Sequence, residues 1–584
     1  MRIQQWMAAC CAAALCGPAA GQSAAPAAHE SLNPEASSGY TDKQAVSAQK
    51  FMVATANPLA TRAGYRMLQA GGSAVDAAIA AQLVLGLVEP QSSGLGGGGF
   101  LVHYAASSRQ LRVYDSRETA PAAVRPDRFM RDGKPLPFEQ AVNNGRSVGT
   151  PGLLRGLELA HRQQGKLPWR QLFEPAIELA TQGFQVSPRL HAMTQDALKA
   201  LAAQPAAARY FLGPDGQPWP VGHVLKNPEY AEVLRRVAAK GPDTFYHGDI
   251  AHDIVAAVRA HAQPGDLSVA DLANYRARVR DALCGNYRDY RLCGAPPPSS
   301  GPLAVLQMLG VLQHFPMQKL GPRSAEAVHY FSEAGRLAFA DRGFFVGDPE
   351  FVKVPAAAML DPAYLARRAA LVHPDRSLGT ALPGDPGGLL TSRAPDQALE
   401  LPSTTHVVVA DARGNVLSMT NTIESAFGSK IFVRGFLLNN ELTDFSLSFQ
   451  DPEGRPVANR VQPGKRPRSS MAPMIVFRDG KPYMAVGSPG GSAIINYVAK
   501  TLVGVLDWNL DIQQAISLPN MGSRNQATEL ERGTYLEDLA PALRGMGHEV
   551  KMADFPSGIQ GLVMDGGRLV GGADPRREGA VMGD

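Results

Sequence analysis

The sequence predicts a layered α/β protein, and two observations carry that expectation. A nearly all-apolar helical stretch from Val75 to Val88 has no polar face to turn toward water, so it must lie between layers. A block of short, Val-rich runs begins at Thr404 and reads as strand. Strands sandwiched between buried helices make layers of one body rather than separate domains. No internal repeat is present, although 584 residues alone would allow two to four domains.

Taken in order, a first helix spans Leu59 to Ala70 and stops at Gly71-Gly72, where a C-cap belongs. Ser73 and Asp76 open the apolar helix that follows. After the run Gly94 to Gly99, Phe100–Tyr104 and Leu111–Tyr114 pattern as one hairpin. From Gly152 to about Tyr275 the periodicity is mainly helical. Pro296 to Gly301 forms a rigid turn, followed by helices over Ala304–Phe315 and Ala325–Arg342. Pro374 to Pro402 is rich in Pro, Gly, Ser and Asp and reads as an exposed, flexible linker, where a chain break would be tolerated. Beyond it lie strands at Thr404–Ala410, Val416–Ile423, Phe436–Leu438, Met474–Phe477 and Met484–Val486, and a helix from Ser492 to Leu506.

The first two of those strands form a hairpin. Gly414 fits the left-handed position that ends a three-residue loop, so Asp411 faces Asn415 and Thr404 falls opposite Thr422. Directly opposed residues are within hydroxyl reach. A two-residue loop would instead pair Thr405 with Thr422. Alternation places Thr404, His406, Ser418, Thr420, Thr422 and Glu424 on a polar-leaning face. Val407, Val409, Leu417, Met419 and Ile423 fall on the apolar one.

Residues 1–22 have the layout of a cleavable secretory signal: Arg2, a short apolar run from Trp6 to Leu15, then small residues. That run is too short to span a bilayer, so no stable membrane anchor is expected. Cys16 raises lipidation as an alternative, against which Leu15 stands where a small residue is wanted. Residues 23–44 are Ala/Pro/Ser-rich and read as disordered. Cys284 and Cys293 flank a tight hairpin and in an exported chain are a disulfide candidate; two free thiols are the alternative. A net charge of +4 with no Lys/Arg run argues against nucleic acid. Gly94–Gly99 lacks the Gly-Lys-Ser/Thr ending of a phosphate loop. No His/Cys/carboxylate spacing typical of zinc is found, and neither a metal nor an organic cofactor is called for.

Thr404 has a chemical possibility of its own. Were the bond between Ser403 and Thr404 cut, one residue would carry a hydroxyl nucleophile and a free α-amine. An α-amine has a pKa of about 7.7–8.0, so it can accept the hydroxyl proton near neutral pH.

Motifs along nearly the whole mature length resemble the γ-glutamyltransferases of the N-terminal-nucleophile hydrolase superfamily. They include Gly71–Ala78, Gly94–Phe100, Arg117–Pro121, Gly149–Gly152, Pro296–Gly301, Ala340–Arg342, Thr404–His406, Asn439–Phe445, Lys465–Met471 and Gly487–Gly491. The resemblance implies a four-layer αββα sandwich made as an inactive chain that cuts itself. A large subunit of residues 45–403 and a small one of 404–584 would together build one folded unit. It implies Thr404 as nucleophile and Thr422 as the hydroxyl that orients it.

A γ-glutamyl donor carries an α-carboxylate, which calls for Arg117 with Ser469 and Ser470. Its α-ammonium calls for Asp444, helped by Glu441 and Glu424. The tetrahedral oxyanion calls for backbone N–H groups of Gly490 and Gly491, before a helix. The segment between Asp444 and Ser469 is of intermediate length beside relatives with a lid loop, so it leaves open whether the pocket is covered.

The function implied is a periplasmic or secreted γ-glutamyltransferase and glutathione hydrolase. It would act on glutathione and similar compounds, with water or an amino acid or dipeptide amine as acceptor. A glutaryl-type (cephalosporin) acylase or a poly-γ-glutamate hydrolase of the same fold is the nearer alternative, and a non-catalytic binding relative the distant one.

Overall fold

The computed structural model describes residues 39–584, apart from 397 and 402. The expected signal segment lies outside those residues, as does most of the stretch expected to be disordered. The end of that stretch is not loose. Thr41 N donates to Pro575 O at 2.9 Å, and Lys43 Nζ donates to the carbonyls of Asp574, Arg577 and Gly579 at 2.8, 2.7 and 2.5 Å. Composition could not reveal carbonyls some 530 residues away.

Two seven-stranded antiparallel sheets form the centre. The first holds β1 (Met52–Thr55), β2 (Gly98–Ala105), β3 (Gln110–Asp115), β4 (Arg278–Asp281), β5 (Thr404–Ala410), β6 (Val416–Thr422) and β7 (Ala580–Gly583). Their spatial order is β7-β1-β5-β6-β2-β3-β4, so the β5–β6 hairpin is central and both its strands are fully buried. The second sheet runs Val46–Ala48, Arg568–Ala573, Gln560–Asp565, Lys481–Gly487, Met474–Arg478, Tyr290–Gly294 and Leu283–Tyr287.

Helices cover both outer faces. Val407, Val409, Leu417 and Met419 pack in one core with α1 (Pro58–Gln69) and α2 (Ala74–Val88). Every residue of α2 is buried, as its composition requires. The opposite face of the hairpin, with Val408, Ala410 and Val416, meets the second sheet. That core continues into α3 (Gly301–Leu312), α4 (Ala325–Phe345) and α5 (Ile494–Leu506). The order is helix, sheet, sheet, helix, the four-layer αββα sandwich.

The hairpin has the register read from its loop. Thr404 pairs with Thr422 and Ala410 with Val416, and Gly414 takes φ +79°. The polar-leaning face is buried too, because it meets the second sheet. His406 Nδ1 lies 2.8 Å from Thr420 Oγ1. A Cβ on Gly487 of the facing strand would sit 2.2 Å from His406 Cε1. Burial pulls the His406 pKa down to about 3, so this imidazole is a neutral packing group.

Other element ends shift slightly. α3 starts three residues earlier than expected because Pro302 is tolerated in a first turn. The first turn before α5 is 3₁₀, over Gly491–Ala493. Cys284 and Cys293 pair across adjacent strands and are joined by a disulfide. No helix among the described residues is long and apolar enough to cross a membrane.

The linker expectation needs correction at its end. Residues near 374–392 are mostly exposed, but Arg393, Ala394, Glu400 and Ser403 are buried. Arg393 donates to the carbonyls of Phe345 and Lys353, and Asp396 pairs with Arg468 at 2.8 Å. The charges that made this stretch look solvated are partners for buried arginines.

Candidate active site

The hairpin end carries the centre of the site. Thr404 Oγ1 donates to Thr422 Oγ1 at 3.3 Å. Thr422 in turn donates to the Ser403 carbonyl oxygen at 2.7 Å and accepts from Glu424 N at 2.8 Å. One hydroxyl therefore links the candidate nucleophile to the carbonyl at the expected cut and has both lone pairs and its proton in use. Gly97 lets this happen: a Cβ there would lie 2.0 Å from the Thr422 carbonyl oxygen. The glycine run is a close-packed segment against β6.

Glu441 and Asp444 stand on one face because Glu441–Asp444 is a 3₁₀ turn, in which residues i and i+3 eclipse. Both meet Arg117, just after β3. Nη1 bonds Glu441 Oε1, and Nη2 bonds Asp444 Oδ2 at 2.5 Å and Arg468 O at 2.7 Å. Nε bonds Pro467 O at 3.2 Å. Four of the five guanidinium N–H groups are thus committed within the protein. Arg117 and the ammonium-binding acids, assigned to opposite ends of a donor from the sequence, are one ionic cluster.

Glu424 completes the acidic wall. It sits at φ +77°, with Asn440 Nδ2 bonded to its Oε2. Burial above all raises the pKa of Glu424, Glu441 and Asp444 well above the carboxylate range. Arg117 pulls the latter two back, while acidic neighbours push all three further up. Among the described residues, Asp444 Oδ1 is a buried acceptor with no hydrogen-bond partner, whereas Glu441 shares a side-chain hydrogen bond with the Glu118 carboxyl. Buried orphan acceptors call for a donor, and an ammonium supplies one.

Ser469 and Ser470 are held by the Pro296–Gly301 turn: Ser300 N donates to Ser469 O at 2.7 Å and Ser469 N to Pro298 O at 3.0 Å. Gly490 and Gly491 precede α5 at φ +136° and +55°, values that favour glycine.

Thr404, Thr422, Glu424, Glu441, Asp444, Arg117, Ser469, Ser470 and Gly491 all line one cavity. Gly490 is adjacent but not on its wall. Free space there is about 20 Å³, room for about one water. Glu400 and Leu401 are also on its wall, and no residue of the Phe449–Gly454 turn is. Instead that turn closes on itself, with Val457 N bonded to Phe449 O.

Sequence reasoning missed four groups. Glu118 lies buried with Oε2 4.0 Å from Arg117 Nη1. Lys430 Nζ is buried beside Glu424, its pKa pulled by burial down to about 8. Arg342 and Glu400, bonded to each other, are the others. Glu118 and Arg342 lie inside the motifs Arg117–Pro121 and Ala340–Arg342, but the sequence alone assigns them no role. His329, Glu333 and His548 offer close ligand-type atoms elsewhere. Those atoms are committed: His329 Nδ1 and His548 Nε2 bond each other at 2.7 Å, and Glu333 accepts from Arg336, Ser377 and Leu378.

Glu118 makes a pH prediction. Burial, only partly offset by Arg117, pushes its carboxyl up to about 8, against about 4.3 in an unfolded chain. The folded state therefore holds the proton more tightly. Its contribution to stability is full below pH 4 and is lost as pH rises through 8. The thermal midpoint should fall progressively between pH 5 and pH 8, and Glu118→Gln should flatten that fall. An identical fall in the variant would rule Glu118 out.

The chain is similar to several known proteins. The glutathione hydrolase proenzyme of Bacillus subtilis (strain 168) is 38% identical over 544 residues, 91% of each chain. The acylase ACY 1 proenzyme of Pseudomonas sp. (strain SE83) is 35% identical over 552 residues, 92% of this chain and 94% of its own. The crystal structure of cephalosporin acylase from Bacillus halodurans matches at a TM-score of 0.82 and 26% identity, over 95% of this chain and 99% of that one. The gamma-glutamyltranspeptidase family model matches residues 60–584, covering the hairpin, the arginine–acid cluster and the glycine turn alike, and the chain belongs to that family.

Proposed function

We propose that this protein is a γ-glutamyltransferase and glutathione hydrolase that matures by cutting itself between Ser403 and Thr404. The described residues from 39 on belong to one compact unit, so large and small subunits of residues 45–403 and 404–584 would remain parts of one body. In the cut, Thr404 Oγ attacks the Ser403 carbonyl carbon, which Thr422 polarises. The Thr404 nitrogen takes a proton and the C–N bond breaks, giving an ester. That step frees the Thr404 α-amine, and water then hydrolyses the ester, releasing the Thr404 hydroxyl and leaving Ser403 with a terminal carboxylate.

In the mature enzyme, Thr404 Oγ attacks the γ-carbonyl of glutathione or a similar donor, and the α-amine takes the hydroxyl proton. Gly490 and Gly491 N–H groups, at the positive end of α5, hold the oxyanion. The leaving amine departs with a proton. Water or the amine of an amino acid or dipeptide resolves the γ-glutamyl ester. An exported, periplasmic or secreted, location fits the leader pattern and the Cys284–Cys293 disulfide.

The observation that carries the choice of substrate is the orphan acceptor Asp444 Oδ1, on the same cavity wall as Thr404. A γ-glutamyl group brings an ammonium to it; a glutaryl group brings only CH₂. Charge-assisted hydrogen bonds are worth about 1.5–3 kcal/mol each. The processed enzyme should therefore release the chromophore from γ-glutamyl anilide at least about tenfold more efficiently than from glutaryl anilide. Equal or reversed kcat/KM would favour the acylase reading.

A further inference from the structure

The two neighbours of β5 do not support its first residues equally. β6 pairs with it along its whole length, from Thr404 opposite Thr422 to Ala410 opposite Val416, but β1 joins only from Val407 onward. Thr404, Thr405 and His406 are therefore laddered on one side alone. In the cut chain Thr404 would be a strand end, and chain ends fray unless they are tied down. A fraying nucleophile would lose the fixed geometry on which its rate depends.

A tie exists on the hairpin face turned toward α2. There Thr405 stands opposite Asn421, at the end of a row whose other members, Val407, Val409, Leu417 and Met419, are apolar. Past its first turn α2 carries one polar side chain, Gln82, and it meets this pair. Gln82 Nε2 donates to Ser93 Oγ at 2.9 Å, and its Oε1 accepts from Asn421 Nδ2 at 2.8 Å. Thr405 Oγ1 donates to the same Ser93 Oγ at 2.9 Å. Gly99 leaves the Asn421 amide its place, since a Cβ there would lie 2.1 Å from Asn421 Oδ1. All four side chains are buried. Apolar residues at these positions would avoid the cost of hiding polar groups, so packing alone does not account for the set.

We infer that Gln82, Ser93 and Asn421 are positioning residues for the terminal nucleophile. They hold Thr405 by its hydroxyl and, through one peptide unit, keep Thr404 in register with Thr422 after the chain is cut. Gln82 is the hub because its amide donates to Ser93 and accepts from Asn421 at once. None of the four side chains lines the cavity that holds Thr404. Loss of the network should therefore show in the chemical step rather than in donor binding. This rests on the self-cleaving γ-glutamyl reading above.

The test uses full-length chains, with γ-glutamyl anilide turnover normalised to cut chain. Thr405→Val keeps the shape and loses the hydroxyl, Thr405→Ser keeps the hydroxyl and loses a methyl, and Gln82→Met removes the hub amide. Thr405→Val and Gln82→Met should still be cut, with kcat lower by about tenfold or more and donor KM moved by less than about twofold. Thr405→Ser should keep kcat within about threefold of the parent. A merely structural role would lower the thermal midpoint and leave kcat per cut chain unchanged, and that result overturns the inference. An equal loss in Thr405→Ser overturns it too, as does a folded Thr405→Val chain that is never cut, because the network would then act before the terminus exists. Should Thr405→Val and Gln82→Met both fail to melt cooperatively, methyl order parameters in processed wild-type enzyme decide. The Thr404 methyl should be as ordered as those of Val407, and a mobile Thr404 methyl overturns the inference. A processed wild-type enzyme without γ-glutamyl anilide hydrolysis would fail the functional reading instead, and the methyl measurement would still test the tie.

Discussion

Thr404→Ala should yield a single uncut chain with γ-glutamyl anilide hydrolysis at background, a loss on the order of 10⁴-fold or more. The substitution removes the one hydroxyl that Thr422 holds beside the Ser403 carbonyl. Without it neither the internal acyl shift nor the attack on a donor has an oxygen to begin with. Fold stability should hardly change, because the methyl that Ala retains still packs in a buried strand. Thr404→Ser separates the two roles. It keeps the oxygen and, after cutting, the amine, but loses the β-branch that restricts χ1. Cleavage should proceed more slowly and the matured fraction should turn over. Denaturing electrophoresis with time reads the first effect, and anilide release normalised to cut chain reads the second. An uncut Thr404→Ala chain with full activity would end the mechanism.

What could be read beforehand follows from the range of the forces involved. The β5–β6 register was legible because a local device, Gly414 at a left-handed position, sets it, and alternation of Val407, Val409, Leu417 and Met419 supports it. Burial of α2 was legible from its composition alone. The resemblance also named most of the residues that line the cavity, though not Glu400, Leu401 or Ile494. Their mutual pairing was not legible: Arg117 meets Glu441 across 324 positions, and spacing carries no trace of such a contact. Glu400 was hidden for the same reason. In sequence it is one more charge in a Pro- and Gly-rich linker, and only the fold brings Arg342 and Arg468 to it. The short strands Arg568–Ala573 and Ala580–Gly583 were missed because Gly-containing runs of this length have weak period-2 patterns.

The second large effect concerns the arginine–acid cluster. The sequence alone predicts that Arg117→Ala mainly weakens donor binding. The structure predicts more. Arg117 is fully buried and is the cation to which Glu441 and Asp444 are bonded, with Glu118 4.0 Å away. Removing one partner of a buried ionic cluster leaves charge unpaired and costs about 3–5 kcal/mol. The remaining carboxyls would take up protons to avoid that cost, and a protonated Asp444 no longer attracts an ammonium. Arg117→Ala should therefore lower the thermal midpoint, reduce the yield of cut enzyme, and raise donor KM in whatever matures. Arg117→Lys supplies a point charge without the fork, and should restore much of the stability but less of the donor affinity. Melting curves and donor KM, measured on the same preparations, distinguish these outcomes. A variant with both values unchanged would mean that Glu441 and Asp444 are held by something other than the guanidinium between them.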